Sequence, residues 1–241
     1  MKIIVCIETS TEVCSVCIAA DGKILSSRFN NENKSHAALL TVFIDELLKE
    51  TNILPQQINA VAVSMGPGSY TGLRIGVSAA KGLAFGTGAA LIGISTLESM
   101  TYGARKTFNN KFDNNKDLLF VPLLDARRME VYSAVFNNKG EKIRDVSAEI
   151  IDETSFYNEL NNNNIFFFGN GAEKCKDLIS GKDRIFITDF VMQAENLVEL
   201  AFQRLENKMF EDLAYFEPYY LKDFIAKKSK DLLKHVTQIK K

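Results

Sequence analysis

Short apolar runs alternate with amphipathic stretches along the first half of the chain. The apolar runs predict strands over residues 2–7, 13–20, 23–29, 58–65 and 89–94. Asp21-Gly22 predicts a two-residue hairpin turn between the second and third strands. Helices are predicted over 35–50, 70–85 and, more briefly, from Thr96, with Ser95 as the cap of the third helix. The predicted order is β-β-β-α-β-α-β-α.

The second half repeats this order more loosely, after a polar stretch rich in Asn and Lys at 105–117 that indicates a domain boundary. Its predicted strands cover 118–124, 130–136, 142–146 continuing towards 149–151, 165–168 and 184–187. Its helix-like segments cover 153–160, 173–179 and 194–207. The repetition favours a duplicated α/β fold with a first subdomain over 1–104 and a second over 105–212. The remaining segment, 213–241, is expected to return towards the first subdomain.

Composition and charge narrow the class of protein. The chain has 241 residues, of which 46% are hydrophobic and 24% charged, as is typical of a soluble globular protein. A formal net charge of −1 provides no overall field towards nucleic acid or an anionic membrane. No apolar run approaches the roughly 20 residues needed to span a bilayer, so we expect a cytoplasmic protein without membrane contact.

Cys14 and Cys17 form a CxxC sequence inside a predicted strand. Residues three apart in a strand point to opposite faces, so the two thiols should diverge. A redox-active pair of this spacing starts a helix instead. We therefore expect buried, apolar thiols.

The run Gly66-Pro67-Gly68-Ser69-Tyr70-Thr71-Gly72-Leu73-Arg74-Ile75-Gly76 joins a predicted strand to a predicted helix. Such a junction is a potential anion cradle, because unpaired N–H groups and the helix dipole point into the loop. However, the run lacks the Lys-Ser or Lys-Thr of a P-loop. Its glycine spacing also misses the dinucleotide-binding pattern by one residue.

Four motifs, in this order, resemble the TsaB family of bacterial tRNA threonylcarbamoyladenosine biosynthesis proteins. They are Ile7-Glu8-Thr9-Ser10-Thr11, the glycine run, Asp125-Ala126-Arg127-Arg128 with Glu130-Val131-Tyr132, and Pro218-Tyr219-Tyr220-Leu221. The resemblance covers residues 1 to about 225. It implies the fold shared by actin, sugar kinases and chaperone ATPases, which is ribonuclease H-like.

The resemblance also implies a role and a set of partners. The chain is expected to form a heterodimer with TsaD, which transfers a threonylcarbamoyl group to the adenosine beside the anticodon of tRNA. TsaE, a P-loop ATPase, joins that complex, while TsaC, which makes the donor, and the tRNA are indirect partners. A homodimer is expected in isolation.

The resemblance indicates where a nucleotide would bind, and the residues indicate that this site is vestigial. Its candidate residues are Glu8, Ser10, Thr11, Gly66, Gly68 and Ser69. Glu8 stands where many relatives carry Asp, and its extra methylene displaces the carboxylate. The turn at 125–128 lacks the glycines that would let backbone approach a phosphate. No cofactor is expected for this chain alone, while a nucleotide at the complex interface stays open.

Catalytic relatives hold a metal with two histidines on one helix, which requires a spacing of three or four. This chain has only His36 and His235, so neither a metal site nor a catalytic residue is predicted. The leading hypothesis is a non-catalytic partner of TsaD. The alternatives are a glycoprotease-like metallopeptidase, a kinase-like ATP-binding enzyme and a homodimeric ATP-binding module.

Two predicted helices flank the glycine run, and the second is rich in small residues that allow close approach. Close packing on the chain's own sheet explains part of this composition, and a helix–helix interface with TsaD or a second copy explains the rest. The predicted interface residues are His36, Leu40, Phe43, Leu47, Tyr70, Leu73, Arg74, Val77, Ala80 and Lys81. The Lys-rich tail at 226–241 is either a solvated terminus or a contact for tRNA phosphates.

Overall fold

Two mixed sheets with the same strand order organise the chain. The computed structural model describes residues 1–31, 36–108, 118–156, 159, 164–179, 181 and 183–222. Each sheet has five strands, and when the strands of each half are numbered in chain order, both sheets have the spatial order 3-2-1-4-5. In both, strand 2 is antiparallel to strands 1 and 3, whereas strands 4 and 5 run parallel to strand 1. The predicted duplicated α/β fold is confirmed.

The strands and helices of the first half lie within two residues of the predicted bounds, apart from the longer third helix. The strands are β1 (Ile3–Glu8), β2 (Cys14–Ala20), β3 (Lys23–Asn30), β4 (Ile58–Gly66) and β5 (Ala90–Ser95). The helices are α1 (His36–Thr51), α2 (Tyr70–Thr87) and α3 (Thr96–Phe108), with a short 3₁₀ turn at Pro55–Gln57. Because α3 continues to Phe108, the predicted boundary after residue 104 falls inside a helix.

The second half departs further from prediction. Its strands are β6 (Leu118–Asp125), β7 (Glu130–Phe136), β8 (Lys142–Ile150), β9 (Asn164–Phe168) and β10 (Arg184–Ile187). Its helices are α4 (Ala172–Cys175) and α5 (Val198–Glu206), and a 3₁₀ turn at Ala194–Leu197 precedes α5. The two pieces predicted at 142–146 and 149–151 form one strand, which pairs with β7 across shifts in register.

Two predicted helices of this half are largely absent from the described residues. At 153–160 the described residues include turns, because Asp152 accepts hydrogen bonds from the Thr154 backbone at 2.8 Å and from the Ser155 hydroxyl at 3.2 Å. Such local bonds compete with a helical ladder. The helix predicted at 173–179 is limited to α4, after which the chain continues as turns.

Side chains that alternate along β1 build a core on each face of the first sheet. Val5 and Ile7 point to the face covered by α1 and α2, where Leu47 joins them. Ile4 and Cys6 point to the opposite face. There α3 and α5 fill the space towards the second sheet, which contributes Phe120, Phe136, Phe166 and Phe168.

The C-terminal segment returns to the first sheet. The Glu211 N–H donates to the Leu91 carbonyl at 2.9 Å, and the Tyr219 N–H donates to the Met65 carbonyl at 2.7 Å. Phe216 is buried in the core under α2, and Lys81 donates to the Phe216 carbonyl at 2.9 Å. The Lys-rich tail at 226–241 lies outside the described residues, so its predicted tRNA contact stays a prediction. None of the described helices is long and apolar enough to cross a bilayer.

The glycines of α2 fall into two groups. A Cβ added at Gly72 would overlap the Thr9 carbonyl, and one added at Gly76 would overlap the Thr9 hydroxyl. By contrast, a Cβ added at Gly82 or Gly86 would meet no atom within 4 Å. The first two glycines therefore serve the contact of α2 with the end of β1, whereas no described residue packs against the last two at the position of a side chain.

Replacing Gly72 with Ala is expected to lower the free energy of unfolding by about 1–3 kcal/mol, because the new methyl group overlaps backbone. The matched change Gly82→Ala in the same helix is expected to raise it by about 0.5–1 kcal/mol, since alanine favours helix and the site is open. Urea denaturation of both variants measures the difference. Stabilisation by Gly72→Ala would contradict this packing.

Candidate functional site

Glu8, at the end of β1, lies fully buried beneath the glycine run. Its carboxylate accepts hydrogen bonds from the Ser10 backbone at 2.6 Å and from the hydroxyl groups of Ser10 and Ser64. Burial raises the pKa of Glu8, and these hydrogen bonds oppose that shift. The carboxyl group ties the loop after β1 to β4 and does not line the cleft described below.

The glycine run is packed against the chain's own backbone. The Ser69 N–H donates to the Ser10 carbonyl at 2.7 Å, and the Ser69 hydroxyl caps α2 by accepting from the Gly72 N–H at 3.2 Å. An added Cβ at Gly68 would overlap Ser10, and one at Gly66, where φ is +121°, would overlap the Tyr219 carbonyl. These contacts hold the loop against the chain's own backbone, while Gly68 and Ser69 still lie on the wall of the cleft described below.

A cleft of about 810 Å³ opens beside this junction, between the two sheets. Four of the six predicted nucleotide-site residues line it, namely Ser10, Thr11, Gly68 and Ser69. The second half contributes Leu124–Arg127, Tyr132 and Asn170, and the C-terminal segment contributes Tyr219–Lys222. The cleft lies within the usual size range of a ligand pocket.

The turn at 125–128 brings an arginine to the cleft. Lys174 pairs with Asp125 and donates to the carbonyls of Arg128 at 2.8 Å and Glu130 at 2.7 Å. This contact holds a turn in which Arg127 and Arg128 have φ of +74° and +51°, values that non-glycine residues rarely adopt. Arg127 lines the cleft, whereas Arg128 does not.

His36 starts α1 and lies at the rim of the cleft, where its Nε2 atom is 3.0 Å from the Thr11 carbonyl. Among the described residues, no group of three or more His, Cys, Asp or Glu side chains is arranged to hold a metal. The structure therefore gives His36 a local contact with the loop after β1.

The four cysteines are free and buried. Cys14 packs in the core on the α1 and α2 face of the first sheet, and Cys17 packs on the opposite face, as their spacing predicted. Burial raises the pKa of Cys14 to about 11. Since the thiolate is the reactive form, Cys14 is inert at neutral pH.

Half of the predicted interface residues are buried in this chain, and half are partly or fully exposed. The side chains of Leu40, Leu47, Leu73, Val77 and Ala80 are buried within this chain. Four of them, Leu40, Leu47, Val77 and Ala80, belong to the core on the face of the first sheet that α1 and α2 cover. The other five predicted interface residues are partly or fully exposed: His36, Phe43, Tyr70, Arg74 and Lys81.

Sequence reasoning missed two exposed apolar residues on these helices. Phe85 near the end of α2 is 81% exposed, and Val42 on α1 is 44% exposed. On α2, exposed Arg74, Ser78, Gly82 and Phe85 follow at intervals of three or four residues and therefore share one face. The sequence does contain a signal for Phe85, because it is an apolar residue that lies outside the three- and four-residue repeat of the buried apolar positions on α2.

Comparison with known proteins gives a consistent result. The chain matches the family described as TsaD, tRNA N6-adenosine threonylcarbamoyltransferase, over residues 23–235. It is 30% identical to the tRNA threonylcarbamoyladenosine biosynthesis protein TsaB of Escherichia coli strain K12, over 92% of this chain and 96% of that protein. It is 32% identical to TsaB of Haemophilus influenzae, over 68% of this chain and 70% of that protein.

The structure of YeaZ from Pseudomonas aeruginosa superimposes with a TM-score of 0.73, covering 92% of this chain and all of that one at 24% identity. That likeness establishes a shared fold. Together, the sequence identities, the match to the family and the order of the motifs establish that the chain belongs to the TsaB family of tRNA threonylcarbamoyladenosine biosynthesis proteins.

Proposed function

We propose that this chain is a non-catalytic subunit that activates a TsaD-type threonylcarbamoyltransferase during tRNA threonylcarbamoyladenosine synthesis. Its relatives are named for that pathway, and TsaD of Enterococcus faecalis is itself 32% identical over 43% of this chain. In this proposal the chain works in the cytoplasm as a heterodimer with TsaD. TsaE joins the complex, and TsaC and tRNA are reached through TsaD.

The observation that carries the proposal is that the Glu8 carboxyl group is buried and hydrogen-bonded within this chain. A carboxylate that holds a metal or nucleotide must face the ligand with free lone pairs. Glu8 instead accepts hydrogen bonds from Ser10 and Ser64 and does not line the cleft. These hydrogen bonds give the Glu8 carboxyl group a structural role, which is to fix the loop after β1 to β4.

The enzymatic alternatives need groups that the sequence does not supply. A metallopeptidase of the related type requires two histidines on one helix, and here His36 has no histidine neighbour in the sequence. A kinase-like enzyme requires a second phosphate-binding turn, and the turn at 125–128 has no glycine to let backbone approach a phosphate. Both observations favour a supporting subunit.

The exposed face of α2 is the surface we propose for TsaD. Gly82 and Gly86 lower helix stability by roughly 1 kcal/mol each relative to alanine, and among the described residues no contact requires a glycine at either position. Phe85 lies beside them and is largely exposed. Small residues next to an unburied aromatic ring suit close approach by a helix of another chain. Without TsaD, the same face would serve a homodimer.

Reconstitution tests the proposed function directly. The purified chain alone is expected to transfer no threonylcarbamoyl group, and to restore transfer when it is mixed with TsaD, TsaE and the donor-forming system. Incorporation of labelled threonine into tRNA measures this. Efficient transfer without TsaD would overturn the proposal, as would full activity of TsaD and TsaE without this chain.

The variant Phe85→Asp tests the surface. It is expected to weaken association with TsaD by at least about tenfold, because a buried, unpaired carboxylate is costly at an interface. Thermal stability should not fall, since Phe85 is exposed in the free chain. The matched control is Ile150→Asp, because Ile150 is 75% exposed but lies on β8 of the second sheet. Equal weakening by both variants would place the contact elsewhere.

The variant Glu8→Gln tests the role of the buried carboxyl group. The raised pKa means that the folded state binds the proton of Glu8 more tightly than the unfolded chain does. Proton binding therefore stabilises the folded state, and this contribution is fully present below the unfolded-state pKa near 4.5. It is lost as pH rises through the folded-state pKa. Glutamine resembles the protonated form of Glu8 and does not titrate. The free energy of unfolding of Glu8→Gln relative to that of the wild type should therefore rise from about pH 5 to about pH 8. The rise is at most about 1.4 kcal/mol for each unit by which the folded-state pKa exceeds the unfolded-state pKa.

Denaturation at the two pH values measures this change, and the reconstituted assay measures function. Activation of TsaD should survive in Glu8→Gln. Loss of activation in a folded Glu8→Gln protein would instead favour a role for this carboxylate in ligand binding.

A further inference from the structure

Tyrosine side chains are concentrated around the cleft between the two sheets. Tyr70, Tyr132, Tyr219 and Tyr220 all line it. The rings of Tyr70 and Tyr220 lie 4.8 Å apart, and the Arg74 guanidinium lies 5.5 Å from the centre of the Tyr70 ring. Tyrosine provides a large, rigid contact area at low entropic cost and is therefore enriched in protein-recognition surfaces.

A smaller cavity of about 150 Å³ adjoins the cleft and shares part of its lining. Met100, Phe190 and Met192 form an apolar wall of this side cavity, and Val191 lies at its exposed edge. The polar residues Glu12 and Asn170 line both the side cavity and the cleft. Its volume suits a branched or aromatic side chain. The cleft and the side cavity together can therefore hold a polar group and an apolar one next to each other.

Charges in the cleft are balanced in sign. Asp125 and Glu12 oppose Arg127 and Lys222. Lys222 pairs with Glu130, and Asp125 pairs with Lys174. Among the ion pairs of the described residues, Arg127 has no carboxylate partner, which leaves one cation for an acidic ligand group.

This charge pattern favours a peptide over a polyphosphate. A polyphosphate carries several negative charges and needs concentrated positive charge, which the nearby carboxylates counteract. A peptide with one acidic and one apolar side chain matches both Arg127 and the side cavity.

We infer that this cleft binds an extended segment of the partner protein, with an acidic side chain at Arg127 and an apolar side chain in the side cavity. The inference rests on the proposed function, which identifies the partner as TsaD. It adds a second contact, separate from the exposed face of α2. The tyrosines pack against the segment between its two anchoring side chains.

Fluorescent peptides that tile the TsaD sequence of the same organism are the probe, and fluorescence anisotropy with the full chain is the measurement. At least one peptide that carries adjacent acidic and apolar residues is expected to bind. Arg127→Glu should weaken its binding at least about tenfold, and Val191→Asp should weaken it as well. Exchanging the acidic residue of the peptide for Lys should restore binding to Arg127→Glu.

Arg128→Glu is the matched control, because Arg128 is exposed in the same turn but does not line the cleft. The inference is overturned if no peptide binds, if Arg128→Glu weakens binding as much as Arg127→Glu, or if ATP displaces the peptide competitively. It is also overturned if peptides bind only to a variant that ends at Lys222, which would make the chain's own C-terminal residues the occupant.

Association of intact TsaD with the wild-type chain separates this inference from the proposed function. If intact TsaD binds but no peptide does, the cleft is not the binding site and the proposed function stands. If intact TsaD does not bind at all, both proposals fail.

Discussion

The close contact between the Thr9 backbone and α2 determines the position of everything around the cleft. Gly72 lets the helix approach until the Thr9 hydroxyl donates to the Gly72 carbonyl at 2.8 Å. Beneath this contact, Glu8 joins the loop after β1 to β4 through Ser64. The loop after β1, the start of α2 and the nearby cleft wall therefore form one closely packed unit. Within it, glycines let backbone atoms contact each other directly, without side chains between them.

Duplication gives the two halves one topology, yet they meet the cleft differently. In the first half, the turn between β4 and α2 contains glycines packed against backbone. In the second half, the turn between β6 and β7 contains two arginines in left-handed backbone conformations, held by Lys174. The cleft thus joins a wall of closely packed backbone to a wall that carries charged side chains.

Sequence periodicity predicted most of the fold, because alternation along β1 and β2 and the stripe on α1 directly reflect two buried faces. It failed at Asp152, where side-chain bonds favour turns, and for α3, whose end lies in an Asn- and Lys-rich region. Motif reasoning found the glycine run but assigned Leu73 and Val77 to an interface, although they are buried. An apolar residue on a helix gives the same sequence pattern whether it packs against its own sheet or against another chain. The burial of the side chain in the folded structure distinguishes these two cases.

The return of the C-terminal segment has a consequence for biogenesis. Phe216 packs into the core of the first sheet and lies against Gly93 of β5, while Glu211 pairs with Leu91 of the same strand. The first half of the chain therefore cannot complete its core when it emerges from the ribosome. Part of its apolar surface stays uncovered until the segment around Phe216 has been translated.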